Sequence, residues 1–184
     1  YLEMSSTGSG MSQLFEMVAA DWTEVGVHTT VKMSARQLFA QRRNARLFDV
    51  AVWGGAGEII PVLDPRWFIP YSRSSFFGLD YAQWYRTGGR KGVEPPEPMR
   101  RALDLFGELQ RNMDEQEQIR LFRQIIELNQ KHLWAIGVVG AIPSVFIVKD
   151  TFRNVPEVAV ACWPLRTPGA TAPECYAIDE KVSL

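Results

Sequence analysis

The residues best suited to chemistry in this 184-residue chain lie in one stretch rich in glycine and proline, residues 54–70. It carries two acids, Glu58 and Asp64, followed by Arg66 and Trp67. A carboxylate can pair with an ammonium group or accept hydrogen bonds from hydroxyls, and an arginine can hold a carboxylate through two parallel hydrogen bonds. Tryptophan adds a large apolar ring with one N–H donor. The set is therefore suited to recognising a polar organic ligand.

The same residues do not form a catalytic set. No nucleophile accompanies a base, and no phosphate-binding GxxxxGK[ST] loop is present. The two histidines, His28 and His132, lie among polar residues and lack zinc-ligand spacing with the two cysteines. We expect no enzyme activity, no cofactor and no metal. A small α/β hydrolase or transferase that uses Glu58 or Asp64 is a minor alternative.

An apolar segment, F-D-V-A-V-W at 48–53, directly precedes these residues and predicts a strand that ends at two glycines. Strand ends followed by glycine-rich loops are where α/β sheets hold ligands, because the backbone can approach the ligand closely. The sequence therefore predicts a ligand site at this strand end. Its candidate residues are Trp53, Gly54, Gly55, Glu58, Asp64, Arg66 and Trp67.

Each candidate also has a structural interpretation. Trp53 can pack in the core, and the glycines can permit a turn with positive φ. The acids are equally typical of solvated loop residues or caps, since Asp64 precedes a proline and favours a turn. Arg66 can lie over Trp67 as an internal cation–π contact.

The first fifty residues alternate between strand and helix patterns. Strands are predicted at 1–4, 27–33 and 48–53. Helices are predicted from Leu14 to a left-handed stop at Gly26, and over 34–45. The order βαβαβ predicts an α/β fold with a mainly parallel sheet, right-handed crossovers and flanking helices.

The second helix carries two local signals. Ser34 and Gln37 have the spacing of a capping box. Four arginines crowd the helix and the turn after it, and we interpret them as a solvated face, with a docking patch for a partner protein as the alternative. They are Arg36, Arg42, Arg43 and Arg46.

Residues 54–96 predict a long aromatic, glycine- and proline-rich loop with a short helix at 81–85. Two helices follow and form a hairpin at Met113-Asp114, where Asp114 and Glu117 have capping-box spacing. Apolar runs at 135–139 and 144–148 predict short strands. We assign residues 1–150 to an α/β ligand-binding lobe and 151–184 to an irregular, proline-rich tail.

Composition narrows the class of protein. A hydrophobic content of 46% and a charged content of 22% are typical of a folded domain, and a formal net charge of −1 gives no reason to expect nucleic acid or an anionic membrane as partner. No apolar run approaches the roughly 18 residues that span a bilayer. Cys162 and Cys175 form either a disulfide or two free thiols.

Three local patterns and their order resemble the solute-binding proteins of ABC importers, in the oligopeptide/dipeptide-binding group (family 5). Residues 19–31, A-A-D-W-T-E-V-G-V-H-T-T-V, are similar to that family's helix, Gly-Val and strand. Residues 48–55, with Asp-Pro at 64–65, are similar to its strand, Gly-Trp turn and acidic-Pro pair. Residues 114–139 resemble a helix that leads to a short strand. The resemblance covers residues 1 to about 158.

The resemblance implies the C-terminal lobe of a two-lobed periplasmic or extracellular protein. Such a protein captures a peptide or oligosaccharide between its lobes and delivers it to a membrane permease. The first lobe is missing here, and the chain opens on a strand at Tyr1, so we expect a fragment of a longer protein. Peptide binders of the family place an Asp soon after the Trp strand. Here the first acid is Glu58, which raises oligosaccharides as candidates. A ligand-sensing module with the same fold is the alternative.

Overall fold

The computed structural model describes most of the chain, namely residues 1–5, 11–54, 62, 64–138, 140, 145–160 and 169–179. The chain divides into two compact units. The first comprises Tyr1–Gly55 and Arg66–Ala135, and the second comprises Ala56–Pro65 and Ile136–Leu184.

A three-stranded parallel sheet lies at the start of the first unit. Its strands are β1 (Leu2–Ser5), β2 (Val31–Ser34) and β3 (Val50–Val52), in the order β2-β1-β3. Helix α1 (Met11–Glu24) connects β1 to β2, and helix α2 (Arg36–Asn44) connects β2 to β3. The predicted βαβαβ order, the parallel sheet and the α/β class are confirmed.

One hydrophobic cluster holds α1 against the sheet. Leu2 and Met4 of β1, Val52 of β3 and Phe15 of α1 are all buried in it. Each large apolar side chain that is fully buried contributes roughly 1.5–3 kcal/mol. Helix α1 ends before Gly26, whose φ of +89° is the left-handed conformation that the sequence predicted there.

Helix α2 begins differently from the prediction. Ser34 is the last residue of β2, and the N-cap is Ala35, which makes no side-chain capping bond. The Ser34 hydroxyl donates instead to Oε1 of Glu3, at 2.7 Å. The predicted capping box is therefore wrong, because a buried carboxylate takes the hydroxyl that would have capped the helix.

Glu3 lies on the central strand and is fully buried. Arg42 Nε donates to both of its carboxylate oxygens, at 2.9 and 2.6 Å, and Arg42 Nη2 donates to the carbonyl oxygen of Leu47, at 2.9 Å. Burial alone would raise the pKa of Glu3. The hydrogen bonds from Arg42 and Ser34, together with the charges of Arg42 and Lys32, hold that pKa below its ordinary value of 4.5. The Glu3 carboxylate thus joins β1, β2 and α2, and Arg42 extends this network to the chain that enters β3.

Three further helices complete the first unit: α3 (Leu79–Arg86), α4 (Glu97–Arg111) and α5 (Glu115–His132). The predicted hairpin of α4 and α5 is present, and its two helices pack on each other. Asp114 caps α5 by accepting from the Gln116 N–H, at 2.9 Å. The carboxylate of Glu117 binds Arg120 instead of completing the predicted box. None of the helices in the described part of the chain is long and apolar enough to cross a membrane.

The second unit contains a short antiparallel pair, β4 (Phe152–Arg153) and β5 (Ala177–Ile178). The strands predicted at 135–139 and 144–148 are wrong over their described residues, which form no strand; residues 139 and 144 lie outside the description. Val145, Phe146 and Ile147 are 90%, 75% and 99% exposed, so these side chains have no core to pack against. The domain boundary predicted at residue 150 stays a prediction.

Replacing Glu3 by Gln should lower the free energy of unfolding by about 3 kcal/mol, because it leaves the half-buried Arg42 guanidinium without its counter-ion. The pKa of Glu3 is lower in the folded state than in the unfolded one. The stability it contributes is therefore present above pH 4.5 and is lost as the pH falls through the folded-state pKa. When urea unfolding is measured between pH 2 and 7, the free energy of unfolding should fall less on acidification for Glu3→Gln than for the unsubstituted protein.

The matched control is Glu94→Gln, which breaks an exposed ion pair with Arg100 of 2.6 Å. It should cost less than about 1 kcal/mol, because solvent screens the pair. Equal losses of unfolding free energy in the two variants would show that the buried ion pair stabilises the fold no more than an exposed one.

Candidate functional site

Trp53 follows β3 directly and packs among three side chains while remaining half-buried. Its ring stacks on Phe39 with centroids 5.3 Å apart, and lies 5.5 Å from the ring of Phe76. The guanidinium carbon of Arg36 stands 5.5 Å from its centroid. Trp53 therefore has a packing role, and its contact with a ligand stays a prediction.

The ring contacts continue on both sides of Trp53 and form a row of five aromatic side chains. Phe48 stacks on Phe39 at 5.6 Å, and Phe76 stacks on Trp67 at 4.3 Å with only 8° between the ring planes. We call Phe48, Phe39, Trp53, Phe76 and Trp67 the aromatic row. It brings α2, the end of β3 and the segment before α3 to one place.

Three arginines stand over this row. Besides Arg36 on Trp53, the guanidinium carbon of Arg43 lies 5.6 Å from the Phe76 centroid, and that of Arg66 lies 5.8 Å from the Trp67 centroid. Such cation–π contacts contribute about 0.5–2 kcal/mol, depending on how far they are desolvated. The internal contact of Arg66 with Trp67, which the sequence offered as the structural interpretation, is present.

Two donors in this cluster are buried without an acceptor, Arg43 Nε and Trp67 Nε1. Burial, and then the charge of nearby Arg66, lower the pKa of Arg43. The guanidinium nevertheless stays protonated, because arginine side chains do not lose their proton in proteins. The cluster therefore combines desolvated positive charge with unmet hydrogen-bonding capacity.

The prediction of a solvated arginine face is wrong for Arg42 and Arg43, which are half-buried, whereas Arg36 and Arg46 are exposed. Arg42 binds buried Glu3, while Arg36 and Arg43 stand over the aromatic row. Arg46 is exposed and pairs with Asp80. A signal was available, because residues 36, 39 and 43 lie three and four positions apart and so share one face of α2.

The remaining predicted site residues are placed as follows. Gly54 is exposed and does not have a positive φ, so the positive-φ interpretation is wrong there; a Cβ at this position would have nothing within 4 Å. Asp64 is only 5% exposed, which excludes a solvated loop acid, and it belongs to the second unit. Gly55 and Glu58 lie outside the described residues.

The structure thus brings Trp53, Arg66 and Trp67 together through a residue that sequence reasoning missed, Phe76. Nothing in the local pattern S-S-F-F marked Phe76 as the link. The link depends on the path of a long loop, and local spacing does not report that path.

Among the described residues, cysteine and histidine side chains form no second site. Cys175 is exposed and free, whereas Cys162 lies outside the described residues, so their pairing stays a prediction. His132 stacks on Trp134 at 5.5 Å, and His28 is exposed. The described residues contain no group of three side chains that could hold a metal ion.

An open cavity of about 590 Å³ lies beside α4 and is lined by Tyr85, Arg101, Asp104, Glu108 and Arg111, among others. Burial, followed by the charge of Asp104, raises the pKa of Tyr85. The cavity mixes charges of both signs and holds no nucleophile with a base, so it offers no catalytic set.

Trp53→Ala should destabilise the first unit by about 2–3 kcal/mol, since it removes the central ring of the aromatic row and leaves a partial cavity. Trp53→Phe keeps a ring between Phe39 and Phe76 and should cost less than half as much. Chemical unfolding of the two variants measures the difference. Equal, small losses would show that the row does not stabilise the fold.

The comparisons with known proteins find a likeness among solved structures. No family model and no curated protein matches the chain. Among solved structures, the chain is similar to "oligopeptide-binding protein OppA", with 28% sequence identity and a TM-score of 0.69. The match covers 97% of this chain but only 30% of that protein, so the chain spans less than a third of the length of the structure it matches.

Because the match covers nearly the whole chain, it includes the segments whose sequence resembles the solute-binding proteins. It is a likeness to a binding protein rather than to an enzyme. The predicted resemblance is thus confirmed, and the chain has the fold of a lobe of the solute-binding proteins, in the oligopeptide-binding group.

Proposed function

We propose that this chain is one lobe of a solute-binding protein of an ABC importer, which captures a peptide between two lobes. The observation that carries the proposal is the structural match to an oligopeptide-binding protein over 97% of the chain, at 28% identity. In such proteins, hinge closure buries the ligand between the lobes. The matched protein is more than three times as long as this chain, which is consistent with a second lobe in the parent protein.

The end of β3 supplies the ligand-facing surface in this proposal. Gly54 is exposed with open space around it, so a ligand backbone can approach the main chain there. Trp53 and the aromatic row beside it offer ring faces. The proposed ligand-binding residues are those predicted from the sequence, Trp53, Gly54, Gly55, Glu58, Asp64, Arg66 and Trp67.

Aromatic rings also stack on sugars, so an oligosaccharide is the competing ligand. The likeness to an oligopeptide-binding protein favours the peptide. The shift of the first loop acid to Glu58 does not remove a negative partner for a peptide amino group, because a carboxylate remains in the same loop.

Delivery to membrane permease subunits, in a periplasmic or extracellular location, completes the proposal. The apolar side chains at 145–148 are exposed, and contiguous exposed apolar side chains mark interaction sites. They therefore favour contact of the second unit with another protein surface. No step of this role requires covalent chemistry from the chain.

In the full-length protein that carries this chain, peptides of two to five residues should raise the melting temperature, while oligosaccharides of similar size should not. At a hundredfold excess over Kd, binding stabilises the folded state by about 2.7 kcal/mol, a shift of several degrees. A thermal-shift screen with both ligand classes, followed by calorimetric titration, measures this. Stabilisation by oligosaccharides alone would contradict the peptide assignment.

Gly54→Val tests the place of binding in the same assay. The unliganded melting temperature should stay within about 1 °C, because the added atoms meet open space. Peptide affinity should fall at least tenfold, because the side chain occupies the approach to the backbone. Unchanged peptide affinity would show that the ligand binds away from the end of β3.

A further inference from the structure

The cavity beside α4 contains a glycine that neither the backbone nor the packing of the helix requires. Gly107 lies in the interior of α4 and is the one glycine within the described helices. Its φ is not positive, and a Cβ at this position would approach its nearest neighbours only to 3.6 and 3.7 Å, which are ordinary contact distances. Alanine would therefore fit, and apart from proline, glycine is the least favourable residue in a helix interior. The missing side chain leaves room in the cavity instead.

The two atoms that face this missing Cβ are both polar. One is the hydroxyl oxygen of Tyr85 on α3, at 3.6 Å from the Cβ position, and the other is Nη2 of Arg111, at 3.7 Å. Asp104 lies on the same face of α4, three residues before Gly107. The charges of Asp104 and Arg111 both act on the Tyr85 hydroxyl. The cavity thus holds a negative group, a hydroxyl and a positive group around one gap.

These three groups have no partner of their own in the described part of the chain. The ion pairs there include neither Asp104 nor Arg111, whereas Arg101 and Glu108, which also line the cavity, pair with each other at 3.5 Å. No hydrogen bond joins the Tyr85 hydroxyl to another described residue. Burial, and then the charge of Asp104, raise the pKa of Tyr85 above its ordinary value of 10.0. The hydroxyl therefore keeps its proton at neutral pH and can donate it in a hydrogen bond.

We propose that this cavity is a second ligand site, which shares no residue with the end of β3 or the aromatic row, and that it binds a small zwitterion. Asp104 pairs with the ammonium group of the ligand, and Arg111 pairs with its anionic group. The Tyr85 hydroxyl donates a hydrogen bond to that anionic group. The charged side chains of the lining balance each other, so a ligand without net charge is favoured over a simple cation or anion; they are Arg101, Asp104, Glu108 and Arg111.

The spacing of the two unpaired charges sets the length of the ligand. Asp104 and Arg111 are seven residues apart on α4, so their Cα atoms lie about 10 Å apart along the helix axis. An α-amino acid carries its two charges close together, whereas an ω-amino acid separates them by a chain of methylene groups. The expected class is therefore an amino acid whose ammonium and carboxylate are several carbons apart. A cavity of about 590 Å³ has room for such a molecule.

Three probes that differ only in the distance between their charges test this site: glycine, 4-aminobutanoate and 6-aminohexanoate. Hexylamine and hexanoate, which carry one charge each, are the single-charge probes. Ligand-observed NMR titration against the full-length protein measures each Kd. Ion pairs at exposed side chains are weak, so we expect a Kd on the order of 1 mM for 6-aminohexanoate. Glycine and both single-charge probes should bind at least about fivefold more weakly, because each reaches only one of the two charges.

Gly107→Ala should move stability and binding in opposite directions. It should raise the melting temperature, because alanine favours a helix more than glycine does. It should weaken the binding of 6-aminohexanoate at least about fivefold, because the methyl group covers the Tyr85 hydroxyl and Nη2 of Arg111. Asp104→Asn and Arg111→Gln should each remove the advantage of 6-aminohexanoate over the single-charge probes. Arg123→Gln, which changes an exposed arginine on α5, is the control and should leave binding unchanged.

The outcomes separate this site from the peptide site of the proposed function, on which it does not rest. Gly54→Val should leave 6-aminohexanoate binding unchanged, and Gly107→Ala should leave peptide affinity unchanged. Zwitterions that bind no tighter than hexylamine and hexanoate, or that show no binding well above the expected Kd, overturn the inference and leave the proposed function standing. So does a preference that survives Gly107→Ala, Asp104→Asn and Arg111→Gln. Loss of 6-aminohexanoate binding in Gly54→Val alone would place this ligand at the end of β3 and overturn the second site.

Discussion

The organisation of the first unit depends on the burial of one carboxylate, that of Glu3 on the central strand. A buried charge costs several kcal/mol unless it is paired, so β1 is stable in its place only when Arg42 and Ser34 reach it. Ser34 comes from the neighbouring strand, and Arg42 comes from α2. The carboxylate thus fixes the rotation of α2 about its axis.

The rotation of α2 also determines where its other side chains lie. With Arg42 turned to Glu3, the neighbouring face carries Phe39 into the aromatic row and sets Arg36 and Arg43 over Trp53 and Phe76. The fold and the candidate site therefore share one helix. Buried donors without acceptors are tolerated in the site because the ion pair and the hydrophobic cluster beside it hold the helix in place. Natural proteins accept such local costs at functional sites.

Local sequence patterns identified the elements but not the long-range pairs. The βαβαβ order, the stop at Gly26 and the cap at Asp114 each depend on residues within a few positions of one another, and all three are confirmed. The partner of Glu3 lies 39 residues away, and periodicity carries no information on it. For the same reason Ser34 was assigned to a cap and Arg42 to a solvated face. Phe76 was missed because its contacts depend on the path of a long loop. The apolar run at 144–148 has a strand pattern, but its described residues, 145–148, form no strand.

A ligand that binds at the end of β3, beside the aromatic row, covers backbone amides there. Hydrogen–deuterium exchange on the full-length protein, with and without the tightest peptide from a binding screen, reports on these amides. We expect slower exchange at the amides of Trp53 and Gly54 and around Phe76 when the peptide is bound. Protection confined to other regions, such as the cavity beside α4, with no change at these amides would contradict binding at the end of β3.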